Sequence, residues 1–498
     1  MDIQPHPIYL TVFIGFVILM IIVGVIISRY NRTGEDFLMA GRGLSTPLLL
    51  ATTLATLVGT GSSLGAVGFA YENGWAGALY GIGGATGVLL LMLLFSSVRK
   101  YGFMTYSEEV SYYYGANRVL KGLVAIVLLI ASIGWLGAHV MGGALYLTYL
   151  TGIDPTWSKI IVALGFGIYT IVGGYLAVVV TDAIQGTLLF VGFVTLAVLA
   201  LVTVGGFDGV DAEAGAAAQS FLGLENMGVI QGISFALVIA VGVLATPSYR
   251  QRIYSASSVR VVRRSFLWVA GLFGLFALMP AIVGMSAYAL NPDLDSPDMA
   301  FPYLATEVFP LAVGAFLLVA GLSATMSSGD SDAVTAVTIL LRDVVQMVTG
   351  KMPRKENMIL LSRVGLFSVL TLALLGALIS DTIIGYITMM ISTILTGLFV
   401  ASVFGRFWKR ATWQGGMAAI IGGSVVSLVV QGNGSWTEFW GNSVIPALIA
   451  ASVLCVLVSL VTPRTRTSSE EALRILAEER SEIDAGTVLA AEGAEQKD

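Results

Sequence analysis

Apolar runs as long as a bilayer is thick constrain this chain more than any other feature. A membrane-spanning helix needs roughly 20 consecutive apolar residues, and the sequence supplies such blocks from Ile8 to Thr462. Hydropathy places thirteen of them, at about 8–29, 46–71, 77–98, 119–149, 158–178, 182–205, 228–249, 265–290, 309–343, 360–380, 383–405, 414–431 and 442–462. The first, Ile8 to Ser28, is as long as a true span and lacks a preceding basic region, so it reads as a transmembrane helix and not as a cleaved leader. Only 11% of the residues are charged, where a soluble domain carries roughly a quarter. The expected class is an all-α polytopic membrane protein. Fifty-eight glycines fit close helix contacts in lipid. The lone Cys455 allows no disulfide within the chain and reads as a packed core residue.

Charge placement orients the spans. With the N-terminus outside, 25 of the 26 Lys and Arg residues fall on the cytoplasmic side, among them Arg250 and Arg252, and only Lys159 falls outside. The junction between the fifth and sixth segments, Leu176 to Asp182, is the weakest point of the count. Residues 1–462 read as the transmembrane domain and 463–498 as a cytoplasmic tail. In that tail Ser468-Ser469-Glu470-Glu471 forms a capping box, Leu473, Leu476 and Ala477 mark a short amphipathic helix, and Ala485 to Asp498 is solvated. Thirty-six residues are too few for a kinase or receptor domain, which disfavours a membrane sensor.

Polar residues inside spans are costly and mark function by default. In the second segment Gly59-Thr60-Gly61-Ser62-Ser63-Leu64-Gly65 weakens the helix. It is either a small-residue packing face or an unwound helix whose carbonyls line a cavity. In the ninth, Ala324, Ser327, Ser328 and Ser331 share one helix face by their spacing, beside Asp330 and Asp332. Back-bonding of the hydroxyls to the preceding turn explains the serines but not the carboxylates. Such an oxygen-only environment suits a hard cation, and no His or Cys cluster offers a transition-metal site. The third place is Gly173-Gly174-Tyr175-Leu176-Ala177-Val178-Val179-Val180-Thr181-Asp182-Ala183-Ile184-Gln185. There Asp182 could simply cap a helix start. His139, beside Trp135, reads as a hydrogen-bonded structural histidine, and Thr246-Pro247-Ser248-Tyr249-Arg250 as a cytoplasmic helix terminus.

Three of these stretches together resemble the sodium/solute symporter family, whose members include proline, pantothenate and sialic acid carriers and the sodium–glucose cotransporters. They are the GGYxAVxxTDxxQ run at 173–185, the NGWAG turn at 73–77 and the AxMSS run at 324–328. The resemblance implies a leucine-transporter-type core of two inverted five-helix repeats, at about 46–205 and 228–431. It implies a shared Na+ site from the carbonyls of Ala55, Val58 and Ala324 and the hydroxyls of Ser327 and Ser328. A second sodium or proton site would use Asp182, Ser327, Asp330 and Ser331. Solute would sit near Gly59, Thr60, Ser62, Ser63, Tyr80 and Trp135. The expected function is sodium-coupled import of a small polar organic solute by alternating access, with Na+ as coupling ion. A proton-coupled carrier is the alternative. An enzyme is disfavoured by the lack of a nucleophile–base pair, phosphate loop or metal cluster, and a primary pump by the lack of an ATP-binding motif. The expected setting is a bacterial-type inner membrane, N-terminus outside and C-terminus cytoplasmic. The partners are the solute and the lipid bilayer, with no nucleic acid, and a monomer suffices for transport.

Overall fold

A computed structural model describes residues 7–30, 34–214, 220–349, 355–378, 383–464 and 467–479. The regular secondary structure of the described residues is helical, apart from one isolated bridge between Leu44 and Ala256. Lipid offers backbone groups no hydrogen-bond partners, so each span must satisfy its own. Ten helices are long and apolar enough to cross a membrane, or eleven if one bent pair counts as a span, among the described residues.

Burial separates peripheral from central helices. The first helix, Pro7–Ser28, is only 22% buried, and Ile14, Ile18, Ile22 and Ile26 project outward from it. The stretch Leu311–Thr349 is 72% buried, and Ala320 through Ile339 of its helix has every side chain enclosed. A helix this polar is stable only because neighbours surround it on all sides.

Breaks in the helices position the site. The helix Thr46–Leu57 stops at Val58, whose ψ of 60° is not helical, and the chain resumes as a π turn over Gly61–Gly65. The helix Val229–Ala245 is followed at 44° by Pro247–Ser255; Pro247 has no N–H to continue the first ladder. Leu44 N–H donates to Ser255 O at 3.1 Å and Ser257 N–H to Leu44 O at 3.0 Å, tying the two broken helices together at one end.

The weak junction of the sequence reading lies elsewhere. Segments five and six form one run, Pro155–Thr203, of 49 residues. At 1.5 Å per residue that is roughly 70 Å, about twice the hydrocarbon thickness. The division falls at Gly174, with φ of +64°. That conformation favours glycine, and a Cβ there would come within 2.6 Å of the Phe37 ring. Asp182 is therefore eight residues into the second half and fully buried, so it is no helix cap.

Arg250 and Arg252 also require correction. Both were expected in a cytoplasmic connection, yet both lie in the helix Pro247–Ser255 with no exposed side-chain surface. Each finds anionic or hydroxyl partners from distant elements, which a one-dimensional charge count cannot register. The tail helix spans 469–479 and is capped as expected, Glu471 N–H donating to Ser468 Oγ at 3.1 Å. Its inner face is Ala472 and Leu476, with Leu473 half-buried, whereas Ala477 is exposed. Glu479 holds it to Arg118 and Lys121 at 3.1 and 3.2 Å. The stretch 485–498 lies outside the described residues.

Candidate functional site

The unwound segment and the buried polar helix meet. Ser327 Oγ donates to the Ala55 carbonyl at 3.1 Å. Ser328 Oγ lies 3.0 Å from the Thr56 carbonyl and 3.3 Å from that of Ala324. A hydroxyl has one proton, so Ser328 can satisfy one of these carbonyls at a time. Gly59 permits the approach, since a Cβ there would collide with Ser328 Oγ. Ala55, Ala324, Ser327 and Ser328 thus converge, whereas the contact made by Ser328 is to Thr56, two residues before Val58.

One turn further along, a guanidinium occupies the polar cluster. Arg252 Nη2, with two N–H groups to share, lies 2.9 Å from Ser331 Oγ, 3.1 Å from Thr52 Oγ1 and 3.2 Å from Thr52 O, and also reaches Thr56 Oγ1. It stands 3.6 Å from Asp182 Oδ2. Asp182 Oδ2 further accepts from Thr52 Oγ1 at 2.5 Å and lies 3.4 Å from Ser331 Oγ. Every one of these side chains is buried.

His139 closes the opposite flank. Its Nδ1 is 2.9 Å from Thr60 Oγ1 and its Nε2 is 3.3 Å from Asp332 Oδ2. His139 is thus within hydrogen-bond reach of a partner through both ring nitrogens, one of them Asp332. Ser62 Oγ turns back onto Leu57 O at 3.0 Å, and Ser63 Oγ onto Thr60 O at 3.4 Å. Both hydroxyls serve the break itself.

Beside the break lies a small cavity of about 20 Å3. Tyr80 and Trp135 line it together with Leu57, whereas Gly59, Thr60, Ser62 and Ser63 are not part of its lining. The indole N–H of Trp135 donates to Thr246 Oγ1 at 3.1 Å, joining this wall to the second broken helix.

The sodium:solute symporter family model matches residues 37–423. The chain belongs to the sodium:solute symporter family. A sodium/pantothenate symporter of Haemophilus influenzae is 26% identical over 84% of this chain and 88% of its own. A sodium/proline symporter of Staphylococcus aureus is 26% identical over 70% of each. Among solved structures, a Na+-coupled sialic acid symporter superposes with a TM-score of 0.81 over 93% of this chain and 99% of its own, at 18% identity. A nucleobase-cation-symport-1 family transporter superposes at 0.60 over 89% and 98%, at 15% identity. These two share the fold. The symporter is a multi-pass membrane protein whose relatives are transporters.

For this symporter, sequence reasoning overlooked Arg252, Thr52 and Thr56, and also the pair of Arg250 with Glu109. The available signal was the run Arg250-Gln251-Arg252 directly after Pro247, two bases flanking Gln251 beside an apolar span.

Proposed function

We propose that this symporter couples the inward movement of Na+ to import of a small organic solute by alternating access. The carrying observation is that Ser327 and Ser328 bond the carbonyls of Ala55 and Thr56 across the helix break. The Na+ ligands on this reading are the carbonyls of Ala55, Val58 and Ala324 and the hydroxyls of Ser327 and Ser328. When Na+ enters, the two hydroxyls turn their lone pairs toward it and give up those bonds. The ion then ties the Thr46–Leu57 helix to the Leu311–Ile339 helix and stabilises one conformation over the other, which is the only way a ligand shifts an equilibrium.

Of the second group, Asp182 and Ser331 already face Arg252, with Asp330 on the same helix. We read Arg252 as the resident cation of that cluster, so that one Na+ accompanies each solute. The topology that fits is thirteen crossings with two inverted five-helix repeats, each broken helix counted as one crossing. The N-terminus is outside and the C-terminus cytoplasmic in a bacterial-type inner membrane, and a single chain carries out the cycle. With Arg250 and Arg252 moved out of the connections, the remaining bases still favour that orientation.

Uptake into proteoliposomes tests the reading. Ser327→Ala and Ser328→Ala each raise the sodium concentration for half-maximal uptake by roughly 10- to 150-fold, the loss of one charge-assisted oxygen contact being ~1.5–3 kcal/mol. Wild-type sodium dependence in both variants refutes the site. Uptake that needs no sodium and collapses with a protonophore replaces it with proton coupling.

A further inference from the structure

One neighbouring helix holds the helix break from both of its ends. Before the break, Ser327 and Ser328 of the helix Leu311–Ile339 bond the carbonyls of Ala55 and Thr56. After it, Thr60 reaches the same helix through His139. Thr60 Oγ1 is 2.9 Å from His139 Nδ1, and His139 Nε2 is 3.3 Å from Asp332 Oδ2. Asp332 follows Ser328 by four residues, so the two share a helix face. Thr60, His139, Ser328 and Asp332 are all buried.

The tie has a direction. An ionised carboxylate only accepts hydrogen bonds, and a neutral imidazole carries one N–H. The proton therefore sits on Nε2, facing Asp332, and Nδ1 accepts from the Thr60 hydroxyl. Packing fixes the ring as well. Trp135 lies one turn earlier on the helix Arg118–Thr151 and stacks on it, with 6.3 Å between ring centroids and 17° between planes. The Trp135 indole is itself anchored on Thr246 at 3.1 Å. Gly142 leaves room for Thr60, whose methyl would collide with a Cβ there, and a Cβ on Gly59 would come within 3.3 Å of His139 Cε1.

What this tie controls is the peptide between its two anchors. The carbonyls of Ala55, Thr56, Leu57, Gly59 and Thr60 each lie within reach of a serine hydroxyl. Among the described residues no serine hydroxyl reaches that of Val58, a fully buried residue. With ψ of 60° at Val58, no helical ladder sets the direction of its carbonyl. The anchors on either side set it: Ala55 and Thr56 before, and Thr60 after.

We infer that His139 is a positioning residue of the proposed sodium site, which fixes the direction of the Val58 carbonyl by tying Thr60 to Asp332 without touching the ion. This rests on the sodium-coupled reading and adds a residue to its site. Groups that orient the ligands of a metal typically account for 10–100-fold in affinity.

Binding of radioactive sodium to the purified protein, with no solute present, tests the inference, and melting in KCl reports the fold without the ion. Thr60→Val removes only the hydroxyl and is expected to weaken sodium by ~10-fold, as is His139→Leu. The double variant is expected to bind no more weakly than the weaker single one, because both changes cut the same tie. In His139→Gln the amide oxygen and N–H2 can face Thr60 and Asp332, so this variant keeps most of the wild-type affinity. Sodium affinity at the wild-type value in Thr60→Val overturns the inference. So do additive losses in the double variant, and so does an equal loss in His139→Gln and His139→Leu, which would show that the ring only fills space. Unaltered sodium binding in both Ser327→Ala and Ser328→Ala overturns the sodium-site reading instead.

Discussion

The guanidinium of Arg250 and the carboxylate of Glu109 meet at 2.8 Å with neither side chain exposed. Arg250 also lies over the Phe95 ring, 3.6 Å from its centroid, and its Nη2 donates to Leu244 O at 3.2 Å. Tyr254 donates its hydroxyl to the other oxygen of Glu109. The pair thereby joins the bent helix Pro247–Ser255 to the short helix Tyr106–Tyr113. Attraction offsets the desolvation of two charges only while both remain partnered.

Glu109→Gln leaves that guanidinium buried without a counter-charge and is expected to destabilise the protein by ~3–5 kcal/mol. The double variant Glu109→Gln with Arg250→Met removes the stranded charge and recovers part of the loss. Thermal unfolding of the two single variants and the double variant gives the coupling. Equal melting of Glu109→Gln and wild type would show that the pair contributes nothing.

Arg252 makes a prediction about ion count. With a tethered cation 3.6 Å from Asp182, uptake by wild type rises hyperbolically with sodium concentration. Arg252→Gln removes that cation and exposes Asp182, Thr52 and Ser331 to a second ion, so sodium activation becomes sigmoidal. Adding Asp182→Asn to Arg252→Gln returns the curve to hyperbolic, which separates this account from general misfolding. Sigmoidal activation already present in wild type would refute the resident cation.

Asp298 lies in the connection between the helices Leu278–Leu290 and Leu311–Ile339, close against Gly68. Burial pushes its carboxyl up to about 6, more than the hydrogen bond from the Ile383 backbone lowers it, and Glu72 adds to the rise. A carboxyl whose folded pKa is raised favours the folded state most below its unfolded pKa of about 3.9, and that contribution is lost as pH climbs through about 6. Asp298→Asn keeps the shape without the charge. Its melting temperature should equal that of wild type near pH 4 and exceed it at pH 7. A variant less stable than wild type at pH 7 would contradict the assignment.

The sequence by itself determined the membrane class, the family and the two segments where helices give way to polar chemistry. It could do so because a span's length and apolarity are local properties, and because glycine and hydroxyl runs weaken a helix wherever it sits. It also supplied the meeting of Ala55 and Ala324 with Ser327 and Ser328, through motifs and not through geometry. Tertiary structure alone decided where the charges went. Arg250 and Arg252 read as loop bases, since a sequence shows a charge but not the partner that makes burial bearable. Glu109 lies 141 residues from Arg250, and Thr52 lies 200 residues from Arg252. The same distance hid the lining of the void, assembled from helices that only packing brings together. Gly174 divided Pro155–Thr203 where hydropathy placed the division several residues later, because a positive φ at one glycine turns the chain and leaves hydropathy unchanged.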